Sequence, residues 1–233
     1  MKWFVNWLLA VLLGVIAALT VLYFNPLTDE TTAQTDTTAM LRYEIGPSTL
    51  AFTHGDRLGL DLQPEGVPAL WEATINNSVL GLFDLKNRQG SSVAIATRIS
   101  KLSRKTNPVT TGVVVSDHWL VTVPGAGSYF IESSENLWPL LRDTVVRTNL
   151  LRRPWEGVRR YQPTEGPEFN GAARVTGTTG RFKNARGTAV NTVELRDYVR
   201  PSQLRNAMAG ELSLNIVVDA TPDSAATNSA ETR

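Results

Sequence analysis

The feature that most constrains this chain lies at its start. Residues Trp3 to Phe24 form an apolar run of 22 residues with no charge inside it. At about 1.5 Å of rise per residue, some 20 apolar residues in a helix cross a hydrocarbon core of about 30 Å. Trp3 and Trp7 at one end and Tyr23 at the other stand where amphipathic rings favour the headgroup layer, and Pro26 comes next as a stop. A cleaved secretory signal has a shorter apolar stretch and ends in small residues, whereas this run ends Leu22-Tyr23-Phe24-Asn25-Pro26. The expectation is an uncleaved single-pass anchor over 3–24. Lys2 and the amino terminus precede it, and Asp29, Glu30 and Asp36 lie after it. The positive-inside tendency therefore predicts a cytoplasmic N-terminus and an exported body, periplasmic or extracellular.

Beyond the run the chain is polar and divides by composition. Residues 25–41 are Thr, Ala, Asp and Gln with few large apolar side chains, which predicts a flexible linker. Residues 219–233 have the same character and are expected to be a disordered tail. Between them, 42–218 has enough apolar residues for one sizeable core. The net charge of +1 argues against a nucleic-acid partner, since phosphate binding needs a large basic excess. With no cysteine in the chain, disulfides, thiolate nucleophiles and cysteine-ligated metal sites are excluded. The two histidines, His54 and His118, have no metal-ligand spacing, so neither a metal nor a cofactor is expected.

Within the body the dominant signal is a period of two. It runs through Leu58–Leu62, Val93–Ile99, Val113–Val115, Trp119–Val123, Ser128–Glu132, Ala172–Thr176, Thr188–Leu195 and Glu211–Val218. Turn residues separate most of these runs, as in Pro124-Gly125-Ala126-Gly127. The pattern predicts a mainly β fold, an eight-stranded antiparallel up-and-down barrel. One segment departs from it. Leu137, Leu141 and Val145 recur at helical spacing after Asn136, a candidate cap, with Pro139 in the first turn, which predicts a helical insertion at about 136–170.

The most specific stretch is Arg174-Val175-Thr176-Gly177-Thr178-Thr179-Gly180-Arg181-Phe182-Lys183-Asn184-Ala185-Arg186-Gly187. It resembles the strand-turn-strand signature of the allene oxide cyclase and dirigent-like barrels, with glycines at tight turns, Phe182 closing a barrel end, and Ala185 and Gly187 permitting close strand approach. Trp119 to Ile131 and Glu211 to Ile216 are similar to further strands of that family, so the resemblance covers about residues 70–218. Thr178 stands where the family often has a second glycine, and 136–170 is a long insertion. The resemblance implies an eight-stranded barrel with a largely apolar interior able to hold a hydrophobic guest.

Candidate chemistry is sparse. Gly177-Thr178-Thr179-Gly180 lacks the Gly-Lys ending of a phosphate loop and reads as a turn. Asp117 and His118 are adjacent, so in a strand they point to opposite faces and cannot act together. Glu72, Thr74 and Asn76 fall on one face of an early strand. If that face is interior, Glu72 and Asn76 are the weak catalytic candidates, while Thr74 and Trp119 are the weak ligand contacts. Arg142, Arg147, Arg152, Arg153, Arg159 and Arg160, against Asp143 and Glu156, make the insertion basic. With Trp138 and Trp155 nearby, it offers a surface to anionic headgroups through Trp138, Arg152 and Arg153, or else to a protein partner.

Three functions are consistent with these features. The first is a membrane-anchored exported barrel that binds a hydrophobic or amphipathic small molecule near the bilayer. The second is an isomerase or cyclase acting on an apolar substrate in a shaped pocket. The third is an interaction subunit with a solidly filled barrel.

Overall fold

The computed structural model of the chain describes residues 2–24, 38–46, 48–54, 69–71, 78–107, 109–144, 157–196 and 208–217. Helix α1, Lys2–Tyr23, takes up the apolar run. Its 22 residues span about 33 Å, enough to cross a bilayer core, and its apolar side chains from Trp3 to Val21 are exposed. Near its end the Thr20 hydroxyl donates back to the Ile16 carbonyl at 2.8 Å.

The remaining described residues are mostly strand: β1 (Ala39–Ile45), β2 (Leu50–His54), β3 (Ala69–Trp71), β4 (Ser78–Lys86), β5 (Ser92–Leu102), β6 (Val114–Val123), β7 (Gly127–Asn136), β8 (Val158–Tyr161), β9 (Thr164–Gly166), β10 (Ala173–Gly177), β11 (Arg186–Arg196) and β12 (Met208–Val217). Eight of them close a barrel in the order β1-β4-β5-β6-β7-β10-β11-β12, each antiparallel to the next. β12 pairs back along the whole of β1, and Arg42 opposite Lys86 joins β1 to β4. The expected up-and-down barrel is therefore present. The first strand begins at Ala39, inside the stretch read as linker, because Leu41, Tyr43 and Ile45 alternate into the core.

The two ends of the barrel differ. One is closed by short turns, at Asn87–Ser91, Pro124–Ala126 and Thr178–Ala185. At the last of these Gly180 takes φ +58° directly against the Ala126 carbonyl, and the backbone of Phe182 lies so close to Gly177 that neither position has room for a Cβ. Ala185 is fully buried, and Phe182 meets Tyr129 edge-on at 5.3 Å, so the turn residues hold the places their types suggested. The other end carries the long connections 46–77, 103–113, 137–172 and 197–207.

In the insertion between β7 and β10 the described residues take up the helical spacing in one short helix, and Val145 and Arg147 lie outside the described residues. Helix α2 is a single turn, Trp138–Leu141, with Pro139 in it. Asn136 Oδ1 accepts from the Trp138 amide at 3.0 Å, two residues on. Further along, β8 pairs with β11 and β9 pairs with β7, so the insertion also adds strands. The element is held by Asp143, a buried carboxylate whose Oδ2 accepts from Tyr161 at 2.8 Å and Arg159 at 2.6 Å, while Arg142 stands 3.4 Å from Oδ1. The Arg142 guanidinium in turn lies 5.7 Å over the Tyr23 ring at the end of α1.

The barrel core is aromatic at its middle. Tyr43, Phe83 and Trp119 meet across the lumen with ring centroids 4.9 to 5.5 Å apart, each almost without solvent exposure. Gly210, opposite Tyr43, leaves the space that the Tyr43 ring takes. β5 answers these rings with small residues: Ala94 and Ala96 face inward, while Ile95 and Ile99 face out and are exposed. With Leu82 and Leu120 on the flanking strands they form an apolar outer wall.

Candidate functional site

Several inward period-two positions on the long-connection side of the aromatic layer carry charged residues. On β6, Asp117 is the inward residue next to Trp119 on that side. On β7, Glu135 lies two inward positions beyond Ile131. Both carboxylates have no exposure, and the side chain of Arg98, from β5, has little. One guanidinium nitrogen of Arg98, NH2, donates to Asp117 Oδ2 at 2.5 Å and to Glu135 Oε2 at 2.9 Å. The Arg98 guanidinium also lies 4.9 Å over the Trp119 ring, so the aromatic layer is the floor of the cluster. From β11, Asn191 Nδ2 donates to Glu135 Oε1 at 2.9 Å, and Tyr43 donates its hydroxyl proton to Asn191 Oδ1 at 2.8 Å. Thr164 of β9 fixes this strand, its Oγ1 accepting from the Asn191 amide at 2.9 Å.

This network is incompletely partnered. Arg98 Nε, Asp117 Oδ1 and Ser133 Oγ are buried and have no hydrogen-bond partner among the described residues. Ser133 is the cross-strand partner of Asp117 and inward-facing like it. A guanidinium beside a carboxylate can offer two parallel bonds, yet Arg98 uses a single nitrogen on two acids and leaves its Nε and one Asp117 oxygen over.

Burial governs the protonation. It pushes the Glu135 carboxyl up to about 8; Arg98 opposes this, and the charge of Asp117 and a hydrogen bond with it add to the rise. Burial likewise raises the Tyr43 hydroxyl well above its usual range. For Arg98 burial acts downward, but Asp117 and Glu135 outweigh it, so the guanidinium stays charged. At neutral pH Glu135 therefore keeps its proton beside the charged Arg98 guanidinium.

The residues singled out in the sequence are distributed differently. Trp119 is in the lumen, at 1% exposure, as the floor of the charged cluster. His118 points outward and stacks on Phe130 at 5.7 Å, so the opposed faces of Asp117 and His118 are as expected. Glu72, Thr74, Asn76, Arg152, Arg153 and Trp155 lie outside the described residues. Trp3 and Trp7 are exposed on α1, and Trp138 is half-buried. Arg98, Glu135, Ser133, Asn191 and Tyr43 were not among the candidates, and Asp117 was considered only as a partner of His118. Their signal was present in the alternation, since Arg98 shares the parity of Ala94 and Ala96, and Asp117 shares that of Trp119 and Val121.

Among the described residues no cluster of three or more acidic or imidazole side chains could hold a metal ion. No protein-family model matches the chain, and no curated protein matches it in sequence.

Proposed function

We propose that the protein is a single-pass membrane-anchored barrel, with its body exported, that holds a small hydrophobic or amphipathic molecule in the long-connection end of its lumen, close to the bilayer. The observation that carries this reading is the buried, incompletely partnered network around Arg98. Uncompensated polar groups in a protein interior cost several kcal/mol, and a barrel serving only as scaffold gains nothing from them. α1 supports the anchor, being long and apolar enough to cross a membrane. The contact of Tyr23 with Arg142 supports the nearness of the long-connection end to the bilayer. A relationship to the allene oxide cyclase and dirigent-like barrels is part of the same proposal and rests on the turn from Gly177 to Gly187. The test is native mass spectrometry of the full chain released from lipid nanodiscs. A co-purifying apolar molecule, reduced in Arg98→Met, is expected; a bare chain in every preparation refutes the reading.

Glu135 favours a second reading, an isomerase or cyclase in which this acid donates a proton to the bound molecule. Burial keeps its proton on at neutral pH, which suits it to general acid catalysis. If the molecule recovered from Glu135→Gln differs covalently from that recovered from the unaltered chain, the barrel transforms its guest. If the two are the same, it only holds it.

A further inference from the structure

The three leftover atoms of the luminal network define a chemistry. Asp117 Oδ1 can only accept, Arg98 Nε can only donate, and Ser133 Oγ can do either. All three belong to side chains on adjacent strands β5, β6 and β7, on the inward face, just beyond the Trp119 floor. The geometry points to a binding subsite for a neutral hydroxyl group on an apolar molecule, donating to Asp117 Oδ1 and accepting from Arg98 Nε and Ser133 Oγ. This inference rests on the reading that the lumen binds a small molecule, and it specifies the head group.

Other head groups fit less well. A carboxylate or phosphate brings no proton for Asp117 Oδ1 and sets a second anion beside it. An ammonium has no lone pair for Arg98 Nε and stands near that cation. An ether accepts but leaves Asp117 Oδ1 alone. The aromatic layer of Tyr43, Phe83 and Trp119 blocks passage beyond the subsite, so the head is the deepest part of the guest and its apolar body points toward the long connections.

The experiment titrates the full chain in phosphatidylcholine nanodiscs by calorimetry, subtracting the heat of empty nanodiscs. The probes are 1-hexanol, methyl pentyl ether and hexanoate, equal in length and different in head. 1-Hexanol is expected to bind about tenfold tighter than the ether and tighter still than hexanoate, one lost hydrogen bond being about a factor of ten. Ser133→Ala should weaken hexanol and the ether alike, by about tenfold, because both accept from its hydroxyl. Since the hydroxyl it removes has no partner among the described residues, the variant should unfold at a temperature no lower than the unaltered chain. Asp117→Asn, which keeps the shape, should abolish the preference for hexanol over the ether. Equal binding of hexanol and ether, stronger binding of hexanoate, or no effect of Ser133→Ala overturns the head-group assignment while the luminal-binding reading stands. Absence of binding by all three probes overturns both.

Discussion

Replacing Glu135 by Gln gives the sharpest test of the luminal chemistry, because it converts a pH-dependent group into a fixed neutral one of the same size. In the folded chain the carboxyl keeps its proton up to about pH 8, whereas an unfolded glutamic acid releases it near 4.5. The folded state therefore binds the proton more tightly. The resulting stability is complete below about pH 4.5, falls by about 1.4 kcal/mol per pH unit, and is lost by about pH 8. Over that window the loss amounts to about 5 kcal/mol. The substituted amide cannot titrate. It can accept from Asn191 and donate to Asp117, but it gives up the bond from the charged NH2 of Arg98, a cost of about 2 kcal/mol. Glu135→Gln should thus be less stable than the unaltered chain by about 1 kcal/mol at pH 5 and more stable by about 3 kcal/mol at pH 9, with the curves crossing near pH 6. The assay is urea unfolding of the full chain in detergent micelles, followed by near-ultraviolet circular dichroism of the aromatic core at pH 5, 7 and 9. Taking the difference between the two proteins removes the contributions of all other groups. A difference that stays constant across this range would show that Glu135 is ionised in the fold and would refute the reasoning.

Three further outcomes are expected. Gly180→Ala forces a side chain into a left-handed backbone against the Ala126 carbonyl and should cost at least about 1–2 kcal/mol, read as a lowered melting temperature. Asp143→Asn removes the charge shared by Tyr161, Arg159 and Arg142; trypsin should then cut the insertion after Arg142 and Arg159 faster, while cleavage within β4 to β7 is unchanged, and equal acceleration everywhere would show that Asp143 supports the whole barrel. Because the chain lacks cysteine, Arg104→Cys provides a single exposed thiol. A membrane-impermeant maleimide should label it on intact cells, and labelling only after permeabilisation would reverse the proposed orientation.

The barrel was legible because period-two patterning and turn residues survive in any strand with two unlike faces. The site was not, and β5 shows why. In Val93–Ile99 the bulkier residues are the odd ones, so size alone suggests that Ile95 and Ile99 fill the core. The lumen instead takes Ala94 and Ala96, because rings from β1, β4 and β6 already occupy that level. Arg98 shares the parity of the alanines and is carried inside with them. Which parity faces inward is a property of the neighbouring strands, and no single strand records it. The same holds for β1, where Tyr43 enters a core from a stretch that looks like the end of a linker. The strands β8 and β9 of the insertion were not legible because Val158–Tyr161 and Thr164–Gly166 are too short to show a period of two.

The layer of Tyr43, Phe83 and Trp119 has a kinetic consequence. It is a septum, so the barrel is a cup and not a pipe. If the lumen holds a guest as proposed, that guest enters and leaves on the long-connection side, and Asp143, which holds the insertion together, sets how fast it leaves.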